Sequence, residues 1–274
     1  MENINILVVT AHPDDEAFCA GAIYKLVHSL GVEVDLALVT NGEGGFRYAD
    51  FGEAIYGLKL TNEAIGRAYL PAIRKRELMD SGSILGIRNY FFLDQCDHSY
   101  TRSVEESLAV WDEGFIRSYF RKILKVGGYD FVFLMLPYAE THGHHKAATI
   151  LMLETIWEMP QEKRPIALGG KSTFFLDKVS EWGGLEGYPI TSVDTTLPIL
   201  EFDKEQPLGH KGLLHYGIIV NWVIAAHKTQ GTMQRLINKG RYEQYFFFNM
   251  NDLTRFGQAE SLFTRLAESP IEGA

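Results

Sequence analysis

The first apolar run, "INILVVTA" at 4–11, is short, β-branched and unbroken, the pattern of a strand buried on both faces. Apolar positions over 14–30 then recur at helical spacing, with Gly31 placed to end that helix. "VEVDLALVT" at 32–40 reads as a second strand and "NGEGG" at 41–45 as a glycine-rich loop. Strand, helix and strand in this order form a βαβ unit, so the first sheet pairing is expected to be parallel. The aromatic stretch 46–72, broken by Pro71, predicts an elaborated loop with a short helix; helical spacing returns over 73–87. A third strand fits 89–94 and a helix 103–125, with Ser103 and Glu106 in a capping-box pattern. A fourth strand fits 129–137, and a long helix 144–159. Beyond 160 the pattern weakens: strands are expected at 172–178 and 197–203, a loop between them at 181–189, and helices at 209–230 and 231–245.

These elements predict an α/β fold: a Rossmann-like, mostly parallel sheet flanked by helices, with an elaborated C-terminal half. A single domain over 1–274 is expected, with its core at about 4–160 and the elaboration at 161–274. The 274 residues are 46% hydrophobic, enough to bury a large core without disulfides or metal staples. Cys19 and Cys96 lie in apolar contexts and read as small buried hydrophobes. The acidic balance, 35 Asp and Glu against 26 Lys and Arg, argues against a general nucleic-acid partner. The N-terminus lacks a basic signal-peptide region, and no apolar stretch approaches the roughly 20 residues of a membrane span. A cytoplasmic protein is the expectation, and a homo-oligomer is compatible with the sequence.

Two polar clusters change the picture. "HPDDE" at 12–16 ends the first strand, and "HGHH" at 142–145 follows the fourth. Both fall at the carboxyl edge of the predicted sheet, where such folds bind ligands. His12 and Asp15 are three apart, with Pro13 suited to the first position of a helix; His142 and His145 share that spacing. Nitrogen and carboxylate ligands suit zinc, and a catalytic zinc takes three protein ligands and leaves one position for water. His12, Asp15 and one histidine of the second cluster would supply them, leaving Asp14 where a general base stands. Each cluster alone has a plainer reading. Carboxylates in a first helical turn stabilise the helix dipole by about 0.3–1 kcal/mol each, and a histidine run can simply begin a surface helix. Two clusters at strand ends of one sheet favour a metal site.

"AHPDDE", "TNGEGG", the helix "RKRE" ending in "LG" and the later H-x-x-H together resemble the PIG-L/LmbE family of zinc-dependent N-deacetylases. The resemblance covers about 4–155, with an echo at "AAHKTQ" (225–230). It implies His12, Asp15 and His145 as zinc ligands, Asp14 as general base, His142 as the group stabilising the tetrahedral oxyanion, and Arg74 as a substrate-binding residue. The implied reaction removes an N-acetyl group from an N-acetylglucosamine-type sugar or conjugate, by attack of a zinc-activated water. Two departures stand out: His144 occupies a position where the family often has Asp, and the insertion before Arg74 is long. A His₂Asp site also accepts iron or another divalent metal.

Other residues are weighed beside these. "NGEGG" lacks the spacing of a phosphate-binding loop and reads as a turn at the rim. Asp97 and His98 follow the third strand and could touch a substrate; His227 sits in a helical stretch. Phe46, Tyr48, Phe51 and Tyr56 could wall a sugar ring or pack a loop, and Arg47 could meet an anion. Glu16 is left a dipole-facing or supporting role. The rival functions are a hydrolase of another N-acyl or ester compound, and a non-catalytic metal-binding protein, which would need no base at Asp14.

Overall fold

The computed structural model describes residues 4–172, 181–230 and 240–269. A seven-stranded sheet organises them, in the order β3-β2-β1-β4-β5-β9-β6. Strands β1 (Asn5–Thr10), β2 (Glu33–Thr40), β3 (Asn89–Gln95), β4 (Phe131–Met135) and β5 (Ile166–Ser172) pair in parallel. β9 (Tyr242–Phe247) then runs antiparallel to both β5 and β6 (Leu200–Asp203). Between the last two in sequence lies a small hairpin, β7 (Pro207–Gly209) and β8 (Leu214–His215). The apolar run of β1 is continuous because both its faces are covered. Ile6 and Val8 belong to one core cluster, Leu7 and Val9 to the other. On the first face pack α1 (Ala20–Leu30), α3 (Glu63–Leu85), α7 (Tyr216–Ala226) and α8 (Phe256–Glu268). On the second pack α4 (Val104–Leu108), α5 (Glu113–Gly127) and α6 (Gly143–Trp157), while α2 (Asp50–Tyr56) lies beside a smaller cluster around Leu60 and Leu70. No helix among the described residues is long and apolar enough to cross a membrane.

The parallel half follows the sequence pattern, with local differences. The expected helix over 14–30 divides into a 3-10 turn at Asp15–Cys19 and α1, which Gly31 ends at φ 66° as expected. The helix expected at 73–87 begins earlier: α3 starts at Glu63, where the Asn62 side chain accepts from the Ile65 amide at 3.2 Å, and runs through Pro71. The ring marks a break in sequence, but burial of Leu70, Arg74 and Leu78 on the same helix holds it together across that point. The helix expected at 103–125 is two, because Asp112 caps a fresh start by accepting from the Phe115 amide at 2.9 Å. Ser103 caps α4 as expected, accepting from the Glu106 amide at 3.1 Å, but Glu106 turns instead to the Thr101 hydroxyl.

Beyond 160 the corrections are larger. β5, "IALGGKS", was not anticipated; of the strand expected at 172–178, Ser172 ends β5 and the remainder lies outside the described residues. The helix expected at 209–230 shrinks to α7 after the hairpin. Of the helix expected at 231–245, residues 231–239 lie outside the described ones and Tyr242 begins β9, whose aromatics pair with β5 and β6. α8 had no counterpart in the sequence reading.

Candidate metal centre

The centre grows from the end of β1. The Thr40 amide and hydroxyl, on β2, both donate to the Ala11 carbonyl, at 2.9 and 2.7 Å, and pin the chain where "HPDD" begins. Asp15 Oδ2 accepts from the amides of Ala11 at 3.1 Å and His12 at 2.7 Å, so this carboxylate is oriented by the backbone itself. Asp14 sits at φ 148°, a region an L side chain rarely enters. A guanidinium holds it there. Arg74, 2% exposed on α3, reaches Asp14 Oδ2 at 3.0 Å and donates to the carbonyls of Gly42 at 2.6 Å and Pro13 at 2.9 Å. "NGEGG" is glycine-rich for that reason: a Cβ on Gly45 would stand 2.5 Å from Arg74 Nη1.

The second cluster arrives at the start of α6. His142 is its N-cap, its Nδ1 accepting from the His144 amide at 3.2 Å. That fixes the tautomer: the ring proton lies on Nε2. One turn on, His145 Nε2 lies 3.1 Å from His12 Nδ1 and 3.1 Å from Asp15 Oδ1, while His12 Nδ1 and Asp15 Oδ2 are 3.4 Å apart. Ligands bonded at about 2.0–2.1 Å to a tetrahedral metal stand about 3.3 Å apart, and these separations, measured to the two different oxygens of Asp15, lie close to that value. Thr141 Oγ1 holds the other His145 nitrogen at 2.9 Å, the outer contact a ligating imidazole needs.

A second trio, His12, His142 and His144, also converges. It holds no carboxylate, and His144 is wholly buried beside Trp111. His144 instead backs His12: its Nδ1 lies 3.0 Å from His12 Nε2 and its Nε2 lies 3.2 Å from His98 Nδ1. A carboxylate does stand close by: Asp97 Oδ1 lies 3.5 Å from His144 Nδ1 and 3.8 Å from His12 Nε2.

The electrostatics favour positive charge at this point. Burial lowers the His12 pKa, but Asp15, Asp97 and Asp14 more than reverse that and lift it to about 9. Against the cost of burial, His145 and His12 hold Asp15 well below the usual carboxylate range. Asp14 goes the other way: burial pushes it up to about 6 although Arg74 opposes the shift. Burial and the neighbouring His12 push His142 down to about 3, so it is a neutral imidazole at ordinary pH.

His12, Asp14, Asp15, Arg74, His142 and His145 all line one cavity of about 410 Å³. The other candidates separate. Asp97, Arg47 and Tyr48 line it too, whereas Phe46 is buried under Arg67, Phe51 is exposed, and Tyr56 donates to Glu77 at 2.9 Å. His227 is sealed from solvent, its Nε2 2.5 Å from Glu16 Oε1, which also accepts from Ser81 at 2.5 Å. The sequence reading missed Glu77, which accepts from the Thr229 amide at 3.0 Å and hydroxyl at 2.6 Å, and Gln230, which donates to the Gly45 carbonyl at 3.3 Å. The "RKRE" and "AAHKTQ" stretches thus brace the floor of the site, and their shared appearance in the resemblance was the available signal.

A model of the PIG-L family, described as GlcNAc-PI de-N-acetylase, matches residues 7–156. The chain is 28% identical over 162 residues to a probable N-acetyl-alpha-D-glucosaminyl L-malate deacetylase 2 of Bacillus cereus, covering 59% of this chain and 65% of that protein. It is 25% identical over 161 residues to a protein of the same description in Bacillus anthracis, covering 59% and 63%. The chain therefore spans just under two thirds of the length of these curated relatives. The 4-carboxy-2-hydroxymuconate hydratase of Pseudomonas putida shares the fold, with a TM-score of 0.56 at 14% identity over 89% of this chain and 95% of that one. So does a zinc-inhibited form of teicoplanin deacetylase, with a TM-score of 0.53 at 15% identity over 89% and 98%. A hydratase and a deacetylase on one fold leave the reaction to be argued from the site. The family match runs over more than half of the sequence and spans both clusters, from the end of β1 to α6, and by that match the chain belongs to the PIG-L family.

Proposed function

We propose that the protein is a metal-dependent hydrolase that removes an N-acetyl group from an N-acetylglucosamine-type sugar conjugate, with zinc as the metal. The observation that carries this reading is the convergence of His12, Asp15 and His145 at tetrahedral spacing, with Asp14 beside them but outside the trio. A divalent metal held by His12, Asp15 and His145 would polarise the amide carbonyl and acidify a water. Asp14, beside the trio and outside it, is placed to take the proton of that water and to return it to the leaving amine. Arg74 fixes the Asp14 carboxylate through the 3.0 Å ion pair and holds the Gly42 and Pro13 carbonyls, while lining the same cavity where a substrate would sit. His142 offers its Nε2 proton to the oxyanion as a neutral donor; such a donor contributes about 2.7–4 kcal/mol.

The test is a release assay for free amine over N-acetylglucosamine conjugates, with the metal stripped and then restored. Metal-dependent release supports the reading. A fully metal-loaded protein that frees no amine from any conjugate favours a binding protein instead.

A further inference from the structure

Four imidazoles stand in one line through the metal centre. Thr141 Oγ1 lies 2.9 Å from His145 Nδ1, and His145 Nε2 lies 3.1 Å from His12 Nδ1. On the far edge of the His12 ring, Nε2 lies 3.0 Å from His144 Nδ1, and His144 Nε2 lies 3.2 Å from His98 Nδ1.

A metal at the trio would decide which of these nitrogens carry protons. Its ligand atoms are His12 Nδ1 and His145 Nε2, the two that face each other. A neutral imidazole has one N–H, so the His12 proton then sits on Nε2 and points at His144 Nδ1. His144 accepts there, which puts its own proton on Nε2, pointing at His98 Nδ1. The hydrogen bonds thus run outward from the metal, from His12 to His144 to His98. On the other side His145 donates outward to Thr141. Asp97 does not serve as the first acceptor, because its Oδ1 is 3.8 Å from His12 Nε2, beyond hydrogen-bond reach.

His98 ends the line on a fixed support. Arg67, on α3, donates to the Asp97 carbonyl at 3.2 Å and to the His98 carbonyl at 2.6 Å. The Trp111 indole donates to the Cys96 carbonyl at 2.9 Å, just before them. Arg67 belongs to the long insertion before Arg74, so part of that insertion braces the loop that carries His98. Asp97 and Ser99 line the cavity, while the His98 ring between them lies against that of His144, centres 5.1 Å apart.

We propose that His98 is a positioning residue for the metal: through His144 it fixes the His12 ring with Nδ1 turned to the metal, and so sets how tightly the metal is held. This rests on the metal-dependent reading above and adds a layer behind the ligands. The physical reason is leverage. His12 can turn about its Cβ–Cγ bond, and a modest turn carries Nδ1 away from Asp15 and His145. A hydrogen bond at Nε2, on the opposite edge of the ring, resists that turn. His144 resists only as far as His98 holds it in its own place.

The experiment reads zinc affinity rather than turnover, by chelator competition on the full chain after its metal is stripped. His98→Leu should weaken zinc binding by about tenfold. His98→Asn, whose side-chain oxygen falls near the place of Nδ1 and accepts as Nδ1 does, should restore most of that affinity. Should the variants not fold, nitrogen NMR of the histidine rings in the zinc-loaded, unaltered protein decides: protons are expected on Nε2 of both His12 and His144. Unchanged zinc binding in His98→Leu, or equal weakening in His98→Leu and His98→Asn, overturns the proposal. So does a proton on Nδ1 of His144. In each of those cases zinc is still bound by the unaltered protein and the hydrolase reading stands. An unaltered protein that binds no zinc overturns that reading and the proposal together.

Discussion

Two histidine–carboxylate pairs grow from adjacent residues of "HPDDE", and they could hardly differ more. Asp15 meets His12 and His145 at the wall of the cavity, with side chains 10%, 13% and 15% exposed. Glu16, the next residue, meets His227 with both side chains wholly buried. The first grouping leaves donor atoms of three residues aimed at one point, with the backbone already satisfying the rest of Asp15. In the second, Glu16 Oε1 is shared by Ser81 and His227, while Glu16 Oε2 and His227 Nδ1 have no partner among the described residues. One arrangement can take a ligand; the other ties the turn after β1 to α3 and the end of α7. Residue type does not separate them, since both are imidazole against carboxylate. Access and convergence do.

The sharpest way to break that contrast is to remove a donor from the open grouping. His145→Ala should lose the metal and all activity while the protein stays folded, measured by metal content after gel filtration beside far-UV circular dichroism. Chelation of the unaltered protein should abolish turnover in the same way, and added zinc should restore it. Next in size is Asp14→Asn, expected to keep the metal and lose about 10²–10⁴-fold in kcat. Turnover at the original rate would remove Asp14 from the role of base. The sealed pair should answer in the opposite currency of readouts. His227→Ala leaves Glu16 buried without its partner, and breaking such a pair costs about 3–5 kcal/mol. Denaturant unfolding should show that loss, with metal content unchanged; a metal-free yet fully stable variant would show that the two groupings are one.

The smallest effect concerns a third buried carboxylate. Glu243, on β9, accepts from the Gly21 and Ala22 amides at 2.8 and 3.0 Å. Burial raises it from the usual 4.5 to about 7, although Lys204 pulls it back. The folded chain then keeps a proton that the unfolded chain releases, so stability falls as pH rises from about 4.5 to 7, by at most about 1.4 kcal/mol per pH unit. Glu243→Gln should flatten that decline between pH 5 and 7.5 in thermal unfolding. Identical slopes in both proteins would contradict the shift.

The parallel half was legible because its strands are buried on both faces and its helices alternate with them, as in β1, α1 and β2. The two clusters were legible because strand ends place them at one edge. β5 was not, since "GG" within "IALGGKS" dilutes the apolar signal. The reason for those glycines is tertiary: a Cβ on Gly170 would stand 2.3 Å from the Phe18 ring and one on Gly169 2.7 Å from Phe248. The helix expected at 231–245 takes in the first four residues of β9, Tyr242 to Tyr245, because their strand character comes from pairing on both edges with β5 and β6. In the site, the fate of Glu16 was hidden for the same reason. Its partners Ser81 and His227 lie 65 and 211 residues away.

The place of β9 also governs how the chain can assemble. It lies between β5 and β6, so residues 200–203 have no neighbour in the main sheet until residues 242–247 arrive. The same late strand carries Glu243, which satisfies the first amides of α1 across 222 and 221 residues of sequence. The first helix of the fold thus waits on the last strand. On a ribosome, the donors of the candidate metal trio are all synthesised by residue 145, but the layer of α1 against the sheet is not capped until Glu243 has emerged. Truncations ending between β6 and β9 should accordingly yield chains that can bring the metal-binding segments together but cannot close the sheet around them.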